Sequence, residues 1–307
     1  MRTLRFHEYG EPLDVLRLED AEPPTPGPGQ VRVAVQACGL NPADWALCGG
    51  LFGGDLPRGV GLEVAGTVDA VGDGVTGTRV GDPVFGPAPF GGTSAGASER
   101  ALLDVWFPRP EGLDPVGAAA LPMAVETAYR GLDALGVRDG ATVLVNGAGT
   151  TVGYAAVQIA LRHGARVVAT AGRTHAEALR AAGADVTGYG EGVAERVTAL
   201  AGGPVDLAFD AAPVSNALPE LVRTVKAPEH VLTVSDFDAA KEHGALFSGP
   251  GGVGTVRNDV LGEYAQLAAE GRFTVPVART FPLDDWRAAA ELSLSGRARG
   301  KVVLEIG

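Results

Sequence analysis

The chain has 307 residues, with 25 Lys and Arg against 37 Asp and Glu and a formal charge of −12. That acidity argues against a general nucleic-acid scaffold, which needs a basic face, though not against a small local basic pocket. Hydrophobic residues make up 46% of the chain, so a substantial core is available and wholesale disorder is excluded. At roughly 150 residues per domain, the length predicts two domains. The 45 glycines and 21 prolines must then be explained by position, as turns and close backbone approaches. Only Cys38 and Cys48 are present, which excludes a four-thiolate zinc site and argues against a disulfide framework. Lysine occurs only at Lys226, Lys241 and Lys301, a bias read here as composition. The first ten residues lack a signal-peptide core, and no run approaches the roughly 20 apolar residues of a membrane span. A soluble cytoplasmic protein without membrane or nucleic-acid partners is expected.

Residues 1–114 read as short apolar runs broken by Gly and Pro. The run 31–37 (VRVAVQA) alternates, 64–71 (VAGTVDAV) is a second strand, and Val80, Val84 and Phe85 mark a third. Residues 87–98 are small and polar, as in a loop. This pattern predicts an irregular, mainly β domain. From 115 to 271 helical patterns alternate with short apolar strands. Helices are predicted at 115–135, 152–163 and 176–182, and strands at 142–146, 166–171, 185–189, 205–210 and 230–235. Such alternation means a doubly wound parallel sheet. The rest reads as strand (274–281), helix (283–295) and strand (301–306), which could extend the first domain and make it discontinuous.

The sharpest local signal is a glycine turn between the strand at 142–146 and the helix that follows. Gly147 and Gly149 allow a tight turn and close approach of a pyrophosphate to the backbone. Gly153 lets the helix pack closely on the strand, and Thr150, Thr151 and Val152 open the helix whose free N–H groups face the phosphates. The spacing is one residue longer than the usual dinucleotide fingerprint. The alternative is a glycine-rich turn with no ligand. The next strand ends at Gly172 and Arg173, where an NAD site would hold Asp or Glu for the ribose 2′-hydroxyl. An Arg there favours a 2′-phosphate, hence NADP(H), unless it is a solvated surface residue.

Together these segments resemble the zinc-independent quinone oxidoreductase branch of the medium-chain dehydrogenase/reductase superfamily. The markers are Gly39, Leu40, Asn41, Pro42 and Asp44; the 61–66 strand; Gly81, Asp82 and Pro83; 118–122 with Thr127; the glycine turn; 179–185; and 296–304. The resemblance implies an α/β protein in which a Rossmann-type NADP(H)-binding domain (116–272) is inserted in a discontinuous GroES-like catalytic domain (1–115 and 273–307). It also implies that the cofactor lies in the cleft between them. By the same resemblance, Asn41 and Thr127 approach the nicotinamide end, Val152 covers the pyrophosphate, and Arg173 and Tyr189 flank the 2′-phosphate. Tyr189 reads equally well as an aromatic packed on the sheet. A homodimer built through the last strand of the Rossmann sheet, near 230–235, is implied too.

Zinc-dependent relatives take ligands from positions that here hold Asn41, Leu62 and Met123, none of them a usable zinc ligand. Cys38 lies three residues out of register and reads as a core residue, and the five histidines show no ligand spacing. No metal is therefore expected. Without a metal or a Tyr-x-x-x-Lys pair, alcohol oxidation lacks a group to acidify the hydroxyl. Conjugated acceptors need less help, so NADPH-dependent reduction of a quinone or α,β-unsaturated carbonyl fits best. A 2-enoyl-thioester reductase and a non-catalytic cofactor-binding relative are the alternatives. Trp45 and Phe52 could line a flat hydrophobic substrate slot or simply pack, and Asp44 is expected to orient backbone.

Overall fold

The computed structural model describes residues 1–51, 53–213 and 215–307. The chain divides into two compact units, Met1–Met123 with Asn258–Gly307, and Ala124–Arg257.

The first unit starts with strand β1 (Arg2–Phe6), a short helix α1 (Pro12–Val15) and β2 (Leu16–Asp20). Then come β3 (Val31–Leu40), helix α2 (Pro42–Cys48), β4 (Arg58–Gly59), β5 (Glu63–Val71), β6 (Pro83–Pro87), β7 (Arg100–Leu103), β8 (Phe107–Pro108) and helix α3 (Pro115–Ala119). The alternation seen at 31–37 continues in β3, whose odd-numbered residues to Val35 are buried and whose even-numbered ones are half-buried. Val80, expected in a strand, is exposed and precedes β6. The chain returns to this unit at Asn258, with helix α10 (Leu261–Ala269), strand β15 (Val277–Pro282), helix α11 (Trp286–Leu294) and strand β16 (Lys301–Glu305).

Between the two segments of that unit lie helix α4 (Pro122–Ala134), β9 (Thr142–Asn146), α5 (Thr151–Arg162), β10 (Arg166–Thr170), α6 (Arg173–Ala181), β11 (Asp185–Thr187), α7 (Val193–Ala201), β12 (Leu207–Asp210), α8 (Leu218–Val222), β13 (Val231–Thr233), α9 (Phe237–His243) and β14 (Leu246–Phe247). The six strands form one parallel sheet in the order β11-β10-β9-β12-β13-β14. The fold is thus α/β, with a doubly wound Rossmann-type sheet and a mainly β unit. β13 is interior, so the edge of the sheet is β14 and not the segment 230–235. The segment 237–254, which fitted no sequence pattern, supplies α9 and that edge strand.

In the first unit the main sheet runs β15-β16-β3-β5-β6-β8, with β7 also paired to β3. β16 lies inside this sheet, antiparallel to β3 with Val303 opposite Gly39. This register carries Lys301 to the end of β3, beside Asn41. The core of the unit gathers Phe6, Leu47, Leu62, Val64 and Leu304, whereas that of the second unit gathers Leu144, Val168, Val197, Ala208 and Val231. Among the described residues no helix is long and apolar enough to cross a membrane.

Candidate functional site

In the second unit the glycine turn joins β9 to α5. Gly147 has φ +73°, and a Cβ there would overlap Ala212 N. A Cβ at Gly153 would overlap the Gly147 carbonyl oxygen. Both positions therefore require glycine for close approach, the first between strand ends and the second between helix and turn. Thr150 caps α5: its Oγ1 accepts from Gly153 N at 3.0 Å and donates to Gly147 O at 2.9 Å. A helix start leaves its first N–H groups without intrahelical acceptors. Here those belong to Thr151 and Val152, both half-buried, so the turn presents donors to an anion.

Arg173 is the first residue of α6 and is exposed. Among the described residues it has no acidic partner. Tyr189 follows β11, is 71% exposed, and its ring would lie 3.6 Å from a Cβ at Gly172. The loop carrying Tyr189 is braced by Arg196, which donates to the carbonyls of Gly188, Tyr189, Gly190 and Glu191. The structure thus gathers Gly172, Arg173 and Tyr189 at one end of β10 and β11. His175, which sequence reasoning did not single out, sits beside Gly149, 3.6 Å from a Cβ built there, and stacks edge-on against Tyr154. Thr127 lies half-buried in α4, and no described residue hydrogen-bonds its hydroxyl.

The first unit holds a separate polar cluster, wholly buried. Lys301 Nζ donates to Glu63 Oε1 at 2.5 Å and to Asn41 Oδ1 at 2.6 Å. Asn41 Nδ2 donates to the same Glu63 oxygen at 2.8 Å, and Met123 N donates to Glu63 Oε2 at 2.8 Å. Asp44 accepts from Asn41 N at 2.7 Å and Gly61 N at 2.6 Å, so it orients backbone as expected. Burial pushes the Asp44 carboxyl up to about 7 despite those donors, and the nearby Glu63 carboxylate adds to the rise. Burial likewise pushes the Cys38 thiol well up and that of Cys48 to about 12, as fits core cysteines.

This cluster bears on zinc. A zinc ligand must offer a thiolate, imidazole or carboxylate. Asn41 offers an amide already bonded to an ammonium and a carboxylate, Leu62 is core, and Glu63 is neutralised by Lys301. Among the described residues no three His, Cys, Asp or Glu side chains group to hold a metal. The donor set does not fit zinc.

Two sequence expectations for the substrate slot fare differently. Trp45 is 7% exposed, belongs to the core of its unit, and donates from Nε1 to Ser293 Oγ at 2.9 Å. Its indole is committed to packing because α2 turns that face toward α11. Phe52 lies outside the described residues. A cavity of about 300 Å³ in the first unit is lined by residues 53–58 and 91–93.

Comparison with known proteins places this geometry. Residues 27–129 match the alcohol dehydrogenase GroES-like domain, and residues 182–304 match the zinc-binding dehydrogenase family. A solved alcohol dehydrogenase superfamily protein from Novosphingobium aromaticivorans is 30% identical, with TM-score 0.81, over 99% of this chain and 100% of that one. The chain belongs to the medium-chain dehydrogenase/reductase superfamily, in its quinone oxidoreductase-like branch. The solved quinone oxidoreductase from Coxiella burnetii is 27% identical, with TM-score 0.85, covering 100% and 99% of the two chains. The quinone oxidoreductase of Rattus norvegicus is 41% identical over 178 residues, 56% of this chain and 53% of that one. The chain spans about half the length of the curated relatives it matches first. Family membership implies a nicotinamide cofactor.

Proposed function

We propose that this chain is an NADPH-dependent reductase of quinones or α,β-unsaturated carbonyls that works without a metal. The observation that carries the reading is Arg173 at the first residue of α6, beyond β10, where an NAD site would hold an acid. Its guanidinium, with Tyr189 beside Gly172, suits a 2′-phosphate. Gly149, Thr151 and Val152 would hold the pyrophosphate through backbone N–H groups, on a turn shaped by Gly147, Thr150 and Gly153, whose own N–H groups are bonded within the chain. Bound NADPH supplies the hydride. Thr127 offers a hydroxyl to the nicotinamide end.

The chain's own residues supply positioning and charge. Asn41 spends one N–H on Glu63, and its Oδ1 is held by the Lys301 ammonium. The amide can present only its second N–H, a donor suited to a carbonyl oxygen that gains negative charge. A conjugated carbonyl needs no metal for this, since its own carbonyl activates the carbon that accepts hydride. The mismatch between the donor set and zinc supports that chemistry. A cytoplasmic homodimer joined at the β14 edge completes the reading, on resemblance alone.

The test mixes purified protein with NADPH or NADH and a panel of quinones, small enones and crotonyl thioesters, following the absorbance of reduced cofactor. Faster turnover of quinones or enones with NADPH supports the proposal. Turnover confined to thioesters, or cofactor binding without any turnover, would displace it.

A further inference from the structure

The second unit contains a buried polar network that ties the glycine turn to side chains outside the motif. It connects the carboxyl ends of four strands, β9, β10, β12 and β13. Gly147 N donates to Thr170 Oγ1 at 3.0 Å, Thr170 Oγ1 donates to Asn146 Oδ1 at 2.6 Å, and Asn146 Nδ2 donates to Asp210 Oδ1 at 2.8 Å. A second arm runs from the backbone after β13. Ser235 N and Asp236 N each donate to Thr233 Oγ1 at 3.2 Å, and Thr233 Oγ1 donates to Asp210 Oδ2 at 2.9 Å. Ala212 N donates directly to Asp210 Oδ1 at 3.2 Å.

The direction of every bond is forced. A backbone N–H can only donate, so Gly147 N–H fills a lone pair of Thr170 and the single Thr170 proton must go to Asn146. Asn146 then accepts through Oδ1 and turns its NH₂ toward Asp210. The same logic on the other arm sends the Thr233 proton to Asp210. Asp210 is the acceptor on which both arms end, and an ionised carboxylate has about four lone-pair sites for them. Asn146, Thr170, Asp210 and Thr233 are all buried, so a broken link has no water to replace it. Burial pushes the Asp210 carboxyl above the usual carboxylate range, while Asn146, Thr233 and Ala212 act in the opposite direction.

We propose that Asp210 is a positioning residue for the dinucleotide: through Asn146 and Thr170 it fixes the Gly147 N–H, and with it the shape of the glycine turn. Asp210 itself is buried and acts on the turn through its hydrogen-bond partners. Its effect falls on the turn common to both dinucleotides, unlike that of Arg173, which concerns the 2′-phosphate alone. The cofactor half of this inference rests on the function proposed above; the anchoring of Gly147 does not.

Three conservative substitutions test it. Thr170→Val removes the hydroxyl and keeps the β-branched shape, while Thr170→Ser keeps the hydroxyl. Asp210→Asn weakens the shared acceptor. Amide hydrogen exchange, residue by residue, should accelerate at Gly147 by about tenfold in Thr170→Val and Asp210→Asn, with Val145 and Phe209 still protected. Thr170→Ser should behave as the parent. The Kd for NADPH and for NADH, read by cofactor fluorescence, should both weaken by about five- to tenfold, as one hydrogen bond is worth. Unchanged exchange at Gly147 in Thr170→Val, or protection lost across the whole sheet, would overturn the inference. Faster exchange with unchanged affinity for both dinucleotides would uphold the anchoring and sink the cofactor reading instead. If Asp210→Asn does not fold, the Thr170 pair decides alone.

Discussion

Lys301 Nζ and Asn41 Oδ1, 260 residues apart in sequence, lie 2.6 Å from each other in the core of the first unit. Both also bond Glu63 Oε1, so one ammonium, one amide and one carboxylate close a triangle away from water. The cation of this cluster is built into the chain.

Removing that cation should be costly. Lys301→Met leaves Glu63 buried and unpaired, a loss of about 3–5 kcal/mol. Adding Glu63→Gln removes the orphan charge and should restore most of the stability. Denaturant unfolding of both variants checks this. A single variant as stable as the parent would contradict this.

Arg173→Ala should weaken NADPH binding about tenfold or more and leave NADH nearly untouched, because only the former carries a 2′-phosphate for the guanidinium. Fluorescence titration with each dinucleotide measures the ratio. Equal losses for both would remove Arg173 from the phosphate site.

Asp44 gives the first unit a pH signature. Its folded carboxyl titrates at about 7, above the ordinary carboxylate range, so the native state binds more protons than the unfolded chain between about 4 and 7. Stability from this group is therefore present at the acid end and is lost as pH rises through that window. Asp44→Asn should flatten the slope while giving up one of the two backbone acceptors. Tm measured from pH 5 to 8 in parent and variant reads the difference, and parallel curves would contradict it.

Gly153→Ala puts a methyl group against the Gly147 carbonyl oxygen. Backbone must move to accept it, at about 1–3 kcal/mol. Dinucleotide affinity should fall with stability, since the displaced group belongs to the turn. Tm and the Kd for NADPH, taken together, test this; a fall in Tm alone would separate the glycine from the ligand site.

Local patterns in the sequence reveal the second unit well. The strand at 142–146 is β9 to the residue, because four apolar or β-branched positions, closed by Asn146, are bounded by turn residues on both sides. Helix α5 begins one residue before the predicted start, where Thr150 caps it. Helix α2 stayed hidden because it spans only seven residues, with Asn41 and Asp44 forming its capping box in place of the usual Ser or Thr and Glu. The short strand β14 carries too few residues for any period to show. The buried clusters were illegible for another reason. Lys301 looks like one of three scattered lysines, and Asp210 like any strand-end acid, until tertiary pairing sets each beside its partners.

The place of β16 inside the sheet has a consequence for synthesis. On the ribosome, residues 124–257 are all available before Lys301 is made, so the second unit can close on its own sequence. The first unit, although begun earlier, lacks the strand that sits between β15 and β3. Until that strand arrives, Glu63 has no ammonium and Asn41 no fixed orientation. The unit whose first strands precede residue 124 therefore closes its sheet and its buried charge pair only after the sequence of the other unit has been made.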